Sequence, residues 1–373
     1  MAQQTGRAAV LTEYNADFTL QEFEVPEPEP GAIVVEIDTA TVCGSDVHVW
    51  EGALEGVIPV HLPLILGHEM VGRVAKLGDG AAFDSVGEPL REGDRVIWTH
   101  EPCLRCYSCT IMGETTLCTN RRLGFLEDCS KPPHFTGGFA DYGYVWARSG
   151  RIRVPDDVQS DWASAGSCAL RTVIKAIEKA MPVDYLDSVV VQGSGPLGLF
   201  ATAMLSTHSP RHLIVVGAPD DRLELAREWG ATHTISVQEY PDAPARLDEV
   251  LRITGSRGPS VVLEVAGARG AAGEGVQMMA PKGRYVVVGT ITGEPQPINV
   301  PRVTTRAVQV LGSMGGDTDA YWKAMRFLSA FRDRFDWDRM LGRRYPLEHL
   351  SAAMRSSKEM RDVKAVIDPA MAA

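Results

Sequence analysis

The sequence predicts an α/β protein in two parts, a barrel-like β-domain followed by a doubly wound parallel sheet. Three observations carry that prediction. Short apolar runs punctuated by glycine and proline fill the chain up to about Val154; beyond Trp162, strand-like and helix-like stretches alternate; and a glycine fingerprint, Gly193-Ser194-Gly195-Pro196-Leu197-Gly198, stands between an apolar strand and a helix. With 373 residues, 45% of them hydrophobic and 23% charged, the chain has material for roughly two ordinary globular cores.

Residues 7–11 and 33–41 are rich in β-branched and apolar side chains, and between them lies the turn-forming PEPEPG. LILGHEMVGRVAKLG and GDRVIW continue the β pattern. From 162 to 181 the apolar positions recur at helical spacing. VVVQG, LIVVG, VVLEVAG and RYVVVG then read as buried parallel strands, with helices from Pro196 and over 222–229. LEHLSAAMRSSKEM and VKAVID predict a last helix and strand that return to the first domain.

Charge and leader sequence exclude some functions. A net charge of −11, with no run of basic residues, repels a phosphate backbone, so no nucleic-acid partner is expected. Nowhere do eighteen apolar residues run together, and the first residues lack an apolar leader; the expected location is the cytoplasm, with no membrane partner.

Cys103, Cys106, Cys109 and Cys118, in the lobe at about 100–120, have the spacing C-x2-C-x2-C-x8-C. Four soft thiolates so close suit a closed, tetrahedral structural zinc, and the absence of a secretory leader argues against disulfides. In the fingerprint, Gly193 allows the tight turn, Gly195 lets the backbone approach a pyrophosphate, and Gly198 lets helix and strand pack closely. An acid that would bind the ribose 2′-hydroxyl belongs at the end of the next strand, where Gly217 stands instead, followed by Asp220, Asp221 and Arg222. Two carboxylates near that position disfavour a 2′-phosphate, so NAD(H) is favoured over NADP(H). Cys43, His68 and Cys168 form a Cys2His set, which leaves one zinc position open, as catalysis requires. Singly, each reads as an ordinary core residue; together with the second cluster and the fingerprint, they read as a site. Cys129 is left as a bystander.

These segments, with CGSD, GHE, GGFADY and RLELAREWGATHTI in that order, resemble the zinc-dependent alcohol dehydrogenases of the medium-chain dehydrogenase/reductase superfamily over nearly the whole chain. The resemblance implies a GroES-like β-barrel catalytic domain at 1–169, a Rossmann coenzyme domain at 170–314 and a C-terminal segment at 315–373 that returns to the first. It further implies a catalytic and a structural zinc and a homodimer or homotetramer. Residue by residue, Cys43, His68 and Cys168 match the catalytic zinc ligands, Glu69 an acid that can enter the metal's shell, and Asp46 a carboxylate that orients a ligand. Ser45 and His48 match the proton relay, Thr172 and Leu197 positions that touch the nicotinamide, and Lys364 a contact to the pyrophosphate. Gly44 departs from members that carry arginine there, and the cysteine lobe has one residue more than the commonest spacing. Residues 120–136 form a long segment that could border the substrate cleft, as could Trp50, Trp98 and Thr99.

The expected reaction is reversible oxidation of a small-molecule alcohol to a carbonyl compound by hydride transfer to the nicotinamide. A double-bond reductase on the same scaffold, a zinc-ribbon binding module and an enzyme with a non-exchanging coenzyme are the alternatives.

Overall fold

The computed structural model describes residues 4–289 and 295–372, which divide into two compact units. One runs to Arg171 and resumes at Gly316; the other is Thr172–Gly315. The first unit opens with β1 (Thr5–Leu11), β2 (Thr19–Glu24), β3 (Ile33–Thr41), β4 (Leu64–Ile65), β5 (Met70–Leu77), β6 (Arg95–Trp98), β7 (Tyr142–Val145) and β8 (Arg151–Arg153). Strand β1 lies between β2 and β4, whereas β3 is the centre of the larger sheet, with β5, β6 and β8 following in antiparallel order and β7 also paired to β3. The inward side chains of β3, among them Ile33, Val35 and Ile37, meet Leu64, Val74 and Val96 in one core, as alternation on a half-buried strand requires. Strand β2 escaped sequence reading because TLQEFE is almost wholly exposed: an edge strand with no buried face has no apolar period.

The second unit is a six-stranded parallel sheet of β9 (Ser188–Gln192), β10 (His212–Gly217), β11 (His233–Ser236), β12 (Val261–Glu264), β13 (Arg284–Val287) and β14 (Gln309–Gly312). Its spatial order, β11-β10-β9-β12-β13-β14, is that of a doubly wound dinucleotide-binding fold, with the direction of winding reversing between β9 and β12. Val190, Ile214 and Val262 are fully buried, which explains the unbroken apolar runs.

The chain then returns to the first unit with β15 (Arg344–Pro346) and β16 (Val366–Asp368). Strand β16 pairs with β3, Val366 opposite Thr41, so the C-terminal segment lies along the end of β3. The helix expected over 162–181 is interrupted. Ser160–Ala165 and Arg171–Ala180 flank a π-helical turn, Gly166–Leu170, that periodicity alone does not distinguish from regular helix.

Candidate active site

Strand register brings together residues far apart in sequence. Ala40 of β3 pairs with Met70 of β5, and the Thr41 amide donates to the Glu69 carbonyl at 2.9 Å, so the stretch after β3 runs beside the one before β5. The Val42 amide donates to the Ala365 carbonyl at 3.0 Å, adding the segment before β16. Cys43 caps the helix Gly44–Trp50, Asp46 lies in that helix's first turn, and Cys168 sits in the π-helical turn.

One donor atom each from Cys43, His68, Glu69 and Cys168 lies within 4.8 Å of the others. Asp46, fully buried, ties the group together. Its Oδ1 contacts His68 Nδ1 at 3.0 Å and accepts the Gly67 amide at 3.2 Å, while its Oδ2 accepts the Cys43 amide at 2.9 Å. With Nδ1–H held by a carboxylate, the lone pair of His68 Nε2 is available to a ligand. Glu69 Oε2 accepts from Thr41 Oγ1 at 2.7 Å and pairs with Lys364 Nζ, whereas Glu69 Oε1 is buried with no hydrogen-bond partner.

The cluster's protons respond to burial and to one another. Burial raises the Glu69 carboxyl to about 7, with Cys43 adding to the effect and Lys364 and His68 opposing it. The Cys168 thiol is lowered by its hydrogen bond from Cys43, against burial, and Arg171 helps; Cys43, the donor of that bond and likewise buried, is raised to about 11. Burial opposes the imidazolium of His68, yet Asp46 and Cys43 outweigh it and the value rises well above the ordinary one. Two thiols, an imidazole and an orphaned carboxylate oxygen in one buried cage fit a divalent metal, which would displace these protons.

Around the cage, Phe125 lies on His68 with ring centroids 4.5 Å apart and faces His100 at 5.5 Å. The long segment 120–136 thus contributes to this site, and Trp98 and Thr99 share a cavity wall with His68. Trp50 does not: it is buried in the core, its indole N–H donating to the Ala16 carbonyl at 2.7 Å. Lys364 also departs from expectation. Rather than a strand lysine reaching for a pyrophosphate, it is 1% exposed, precedes β16 and pairs with Glu69. A lysine in VKAVID carries no sign of a buried partner 295 residues earlier. Ser45 and His48 are half-buried on the helix Gly44–Trp50, outside the donor cluster. Sequence reading missed His100, Arg121 and Arg171, although Arg171 is visible three residues after Cys168.

The four lobe cysteines also converge, with donor atoms within 4.8 Å. Mutual backbone bonds between Glu101 and Arg122, at 3.2 and 2.9 Å, close the base of the lobe. The extra residue before Cys118 therefore leaves the cluster intact. The Cys103 thiol is lowered to about 6, chiefly by the Arg105 amide. Cys129 is buried elsewhere, 1% exposed.

In the second unit the fingerprint follows β9. Gly193 has φ +120°, and a side chain on Gly198 would come within 1.9 Å of the Gly193 carbonyl oxygen, so turn and helix touch. Above Gly195 nothing lies within 4 Å, and the helix Pro196–Ser206 starts there, a cradle that fits a pyrophosphate. At Gly217 a Cβ would meet Ser194 Oγ at 2.4 Å, and that hydroxyl donates to the Ala218 carbonyl at 2.8 Å. Asp220 Oδ1 accepts from Ser236 Oγ at 2.7 Å; Arg222 is buried, as is Thr172, while Leu197 is half-buried.

Residues 29–156 match the model of the alcohol dehydrogenase GroES-like domain, and residues 196–330 that of the zinc-binding dehydrogenases. The chain is 36% identical to 5-exo-hydroxycamphor dehydrogenase of Pseudomonas putida, covering 98% of this chain and 99% of that one. It is 29% identical to sorbitol dehydrogenase of Halalkalibacterium halodurans, over 97% and 99%. An alcohol dehydrogenase from Thermotoga maritima superposes with a TM-score of 0.90 at 29% identity, covering 98% and 99%.

Proposed function

The chain belongs to the zinc-dependent alcohol dehydrogenase family of the medium-chain dehydrogenase/reductase superfamily, and we propose that it oxidises an alcohol to a carbonyl compound at Cys43, His68 and Cys168, reversibly, with NAD(H). The observation that supports this most is the convergence of those three donors, Cys43 and His68 buried and Cys168 half-buried, with Glu69, whose Oε1 has no protein partner. Zinc held by Cys43, His68 and Cys168 would supply Lewis acidity toward an alcohol oxygen, and a bound nicotinamide would supply the hydride acceptor.

The protein's own residues do the rest. Asp46 holds His68 at Nδ1 and so aims Nε2, while Thr41 and Lys364 fix Glu69, which is positioned to enter the metal's shell. Phe125 and Trp98 keep water from the cage wall. Ser45 Oγ accepts the substrate hydroxyl proton and passes it to His48, half-exposed on the same helix. Cys103, Cys106, Cys109 and Cys118 hold a second, structural zinc. The fingerprint 193–198 receives the pyrophosphate, and Asp220 and Asp221 beside Gly217 favour NAD(H) over NADP(H). We take the first unit as the catalytic domain, the second as the coenzyme domain, and the enzyme as a cytoplasmic homo-oligomer, dimer or tetramer.

The test is coenzyme reduction with primary, secondary, cyclic, aromatic and polyhydric alcohols, assayed with NAD⁺ and NADP⁺ in parallel on zinc-replete protein. Turnover of at least one alcohol is expected, faster with NAD⁺. Silence across that panel would overturn the assignment.

A further inference from the structure

Arg171 is the last residue of the first unit before the chain leaves it, and Gly316 is the first on its return. One side chain ties the two together. The Arg171 guanidinium is 7% exposed; its Nη1–H donates to the Gly316 carbonyl at 3.3 Å, and its central carbon lies 5.0 Å from the centroid of the Tyr321 ring, in the helix Thr318–Ala330. A third hold comes from the wide turn itself. In a regular helix the Arg171 amide would donate to the Ser167 carbonyl, four residues back; here it goes to the carbonyls of Gly166 and Cys168, and Ser167 accepts Arg171 Nε–H at 2.7 Å.

A guanidinium pinned at three places has little freedom left to lose, so a fourth bond from it comes preorganised. That bond goes to sulfur. Arg171 Nη2 donates to Cys168 Sγ at 3.8 Å, three residues back in the chain. The Cys43 thiol also donates to this sulfur, but a bound dication displaces that proton. Among the described residues, Arg171 is then the one side chain that still donates to Cys168.

We propose that Arg171 is a positioning residue for the reaction, acting through Cys168: it fixes where that sulfur stands and, by donating to it, draws charge from the thiolate, leaving more of a bound dication's charge for the alcohol oxygen. This rests on the reading of Cys43, His68 and Cys168 as the catalytic zinc site. Asp46 is the counterpart on the other ligand type. A carboxylate on His68 Nδ1 strengthens the imidazole as a donor, whereas a guanidinium on Cys168 Sγ weakens the thiolate.

The test exchanges zinc for cadmium and reads the two metal sites separately by cadmium NMR, in the wild type, Arg171→Met and Arg171→Lys. The resonance reports how strongly the thiolates donate, and the lobe of Cys103, Cys106, Cys109 and Cys118 supplies an internal reference. In Arg171→Met the resonance of the cage should move while that of the lobe stays in place, and Arg171→Lys, which restores a cationic donor, should bring it part of the way back. With zinc, kcat should fall by about tenfold or more in Arg171→Met while KM changes little, as expected of an interaction felt mainly in the reacting state. Should Arg171→Met not fold, Tyr321→Leu takes its place, because it loosens the guanidinium and leaves its donors; the cage resonance alone should again move. A cage resonance that stays put, or moves only together with that of the lobe, would overturn the proposal and leave the dehydrogenase standing, as would a lowered thermal midpoint with wild-type spectrum and kcat. Wild-type protein that takes up cadmium at the lobe and none at the cage would overturn both.

Discussion

Lys364 Nζ sits on Glu69 Oε2, with both side chains buried, so a salt bridge links the C-terminal segment to the residue next to His68. Breaking a buried pair from one side leaves the other charge stranded. Lys364→Met should destabilise the protein by about 3 kcal/mol. Urea denaturation of the zinc-loaded protein checks this, and a loss below about 1 kcal/mol would mean that the pair is dispensable.

Cys43→Ser removes one of three donors that the cage needs to hold a dication in place. Zinc content should fall by one ion per chain and turnover should vanish, while circular dichroism stays that of the wild type. An active Cys43→Ser protein lacking that zinc would refute the ligand assignment.

Cys106→Ser acts on stability instead. Its helix, Tyr107–Thr110, has four residues and no buried side chain, so the lobe has little apolar packing of its own to rely on. Loss of the other zinc ion and a lower thermal midpoint are expected, measured by metal analysis and calorimetry. An unchanged melt with full metal content would contradict a structural zinc here.

Asp362 should shape the acid limb of the stability curve. Burial opposes its charge, yet hydrogen bonds from Ser356 Oγ at 2.5 Å, the Arg343 amide at 3.1 Å and Tyr345 OH at 2.8 Å hold it below the ordinary carboxylate range. The unfolded chain takes up this proton first as pH falls, near ~3.9. The contribution is therefore complete above that value and is lost as pH drops through the folded one. Urea midpoints between pH ~5 and ~3 should fall more steeply for the wild type than for Asp362→Asn; parallel curves would rule the network out as a cause.

Gly217→Asp is the substitution that analogy with NAD-binding folds suggests, and here it should fail. Its Cβ would lie 2.4 Å from Ser194 Oγ and 2.8 Å from the Ser194 amide nitrogen, so the fingerprint itself must shift. Calorimetric titration should show NAD⁺ affinity weakened at least about tenfold; tighter binding would show that the loop yields.

Much of this was legible because the donors sit in short, chemically distinctive stretches. Cys43 in CGSD, His68 in GHE and the spacing of Cys103 to Cys118 each carry their chemistry locally, and the glycines of 193–198 sit between a strand and a helix. The parallel sheet was legible for a similar reason: strands buried on both faces leave uninterrupted apolar runs. What stayed hidden depends on convergence. Arg121, Arg171 and Asp317 meet only after the chain has left the first unit and come back, and Lys364 finds Glu69 only through the pairing of β16 with β3. Of these only Arg171, three residues after Cys168, has a sequence neighbour that points to the site.

The wide turn Gly166–Leu170 has a further consequence for how this gene can drift. Deleting one codon there would rewind the segment as ordinary α-helix, because the wide turn holds one residue more than a regular turn, and the helix Arg171–Ala180 would continue in nearly its present register. A deletion among residues 168–170 would set Arg171 one residue nearer to Ser167, so the 2.7 Å bond from its Nε–H to that carbonyl would have to be remade. A one-residue deletion, harmless in most surface loops, would here tighten the turn that carries Cys168 and leave the neighbouring strands as they are.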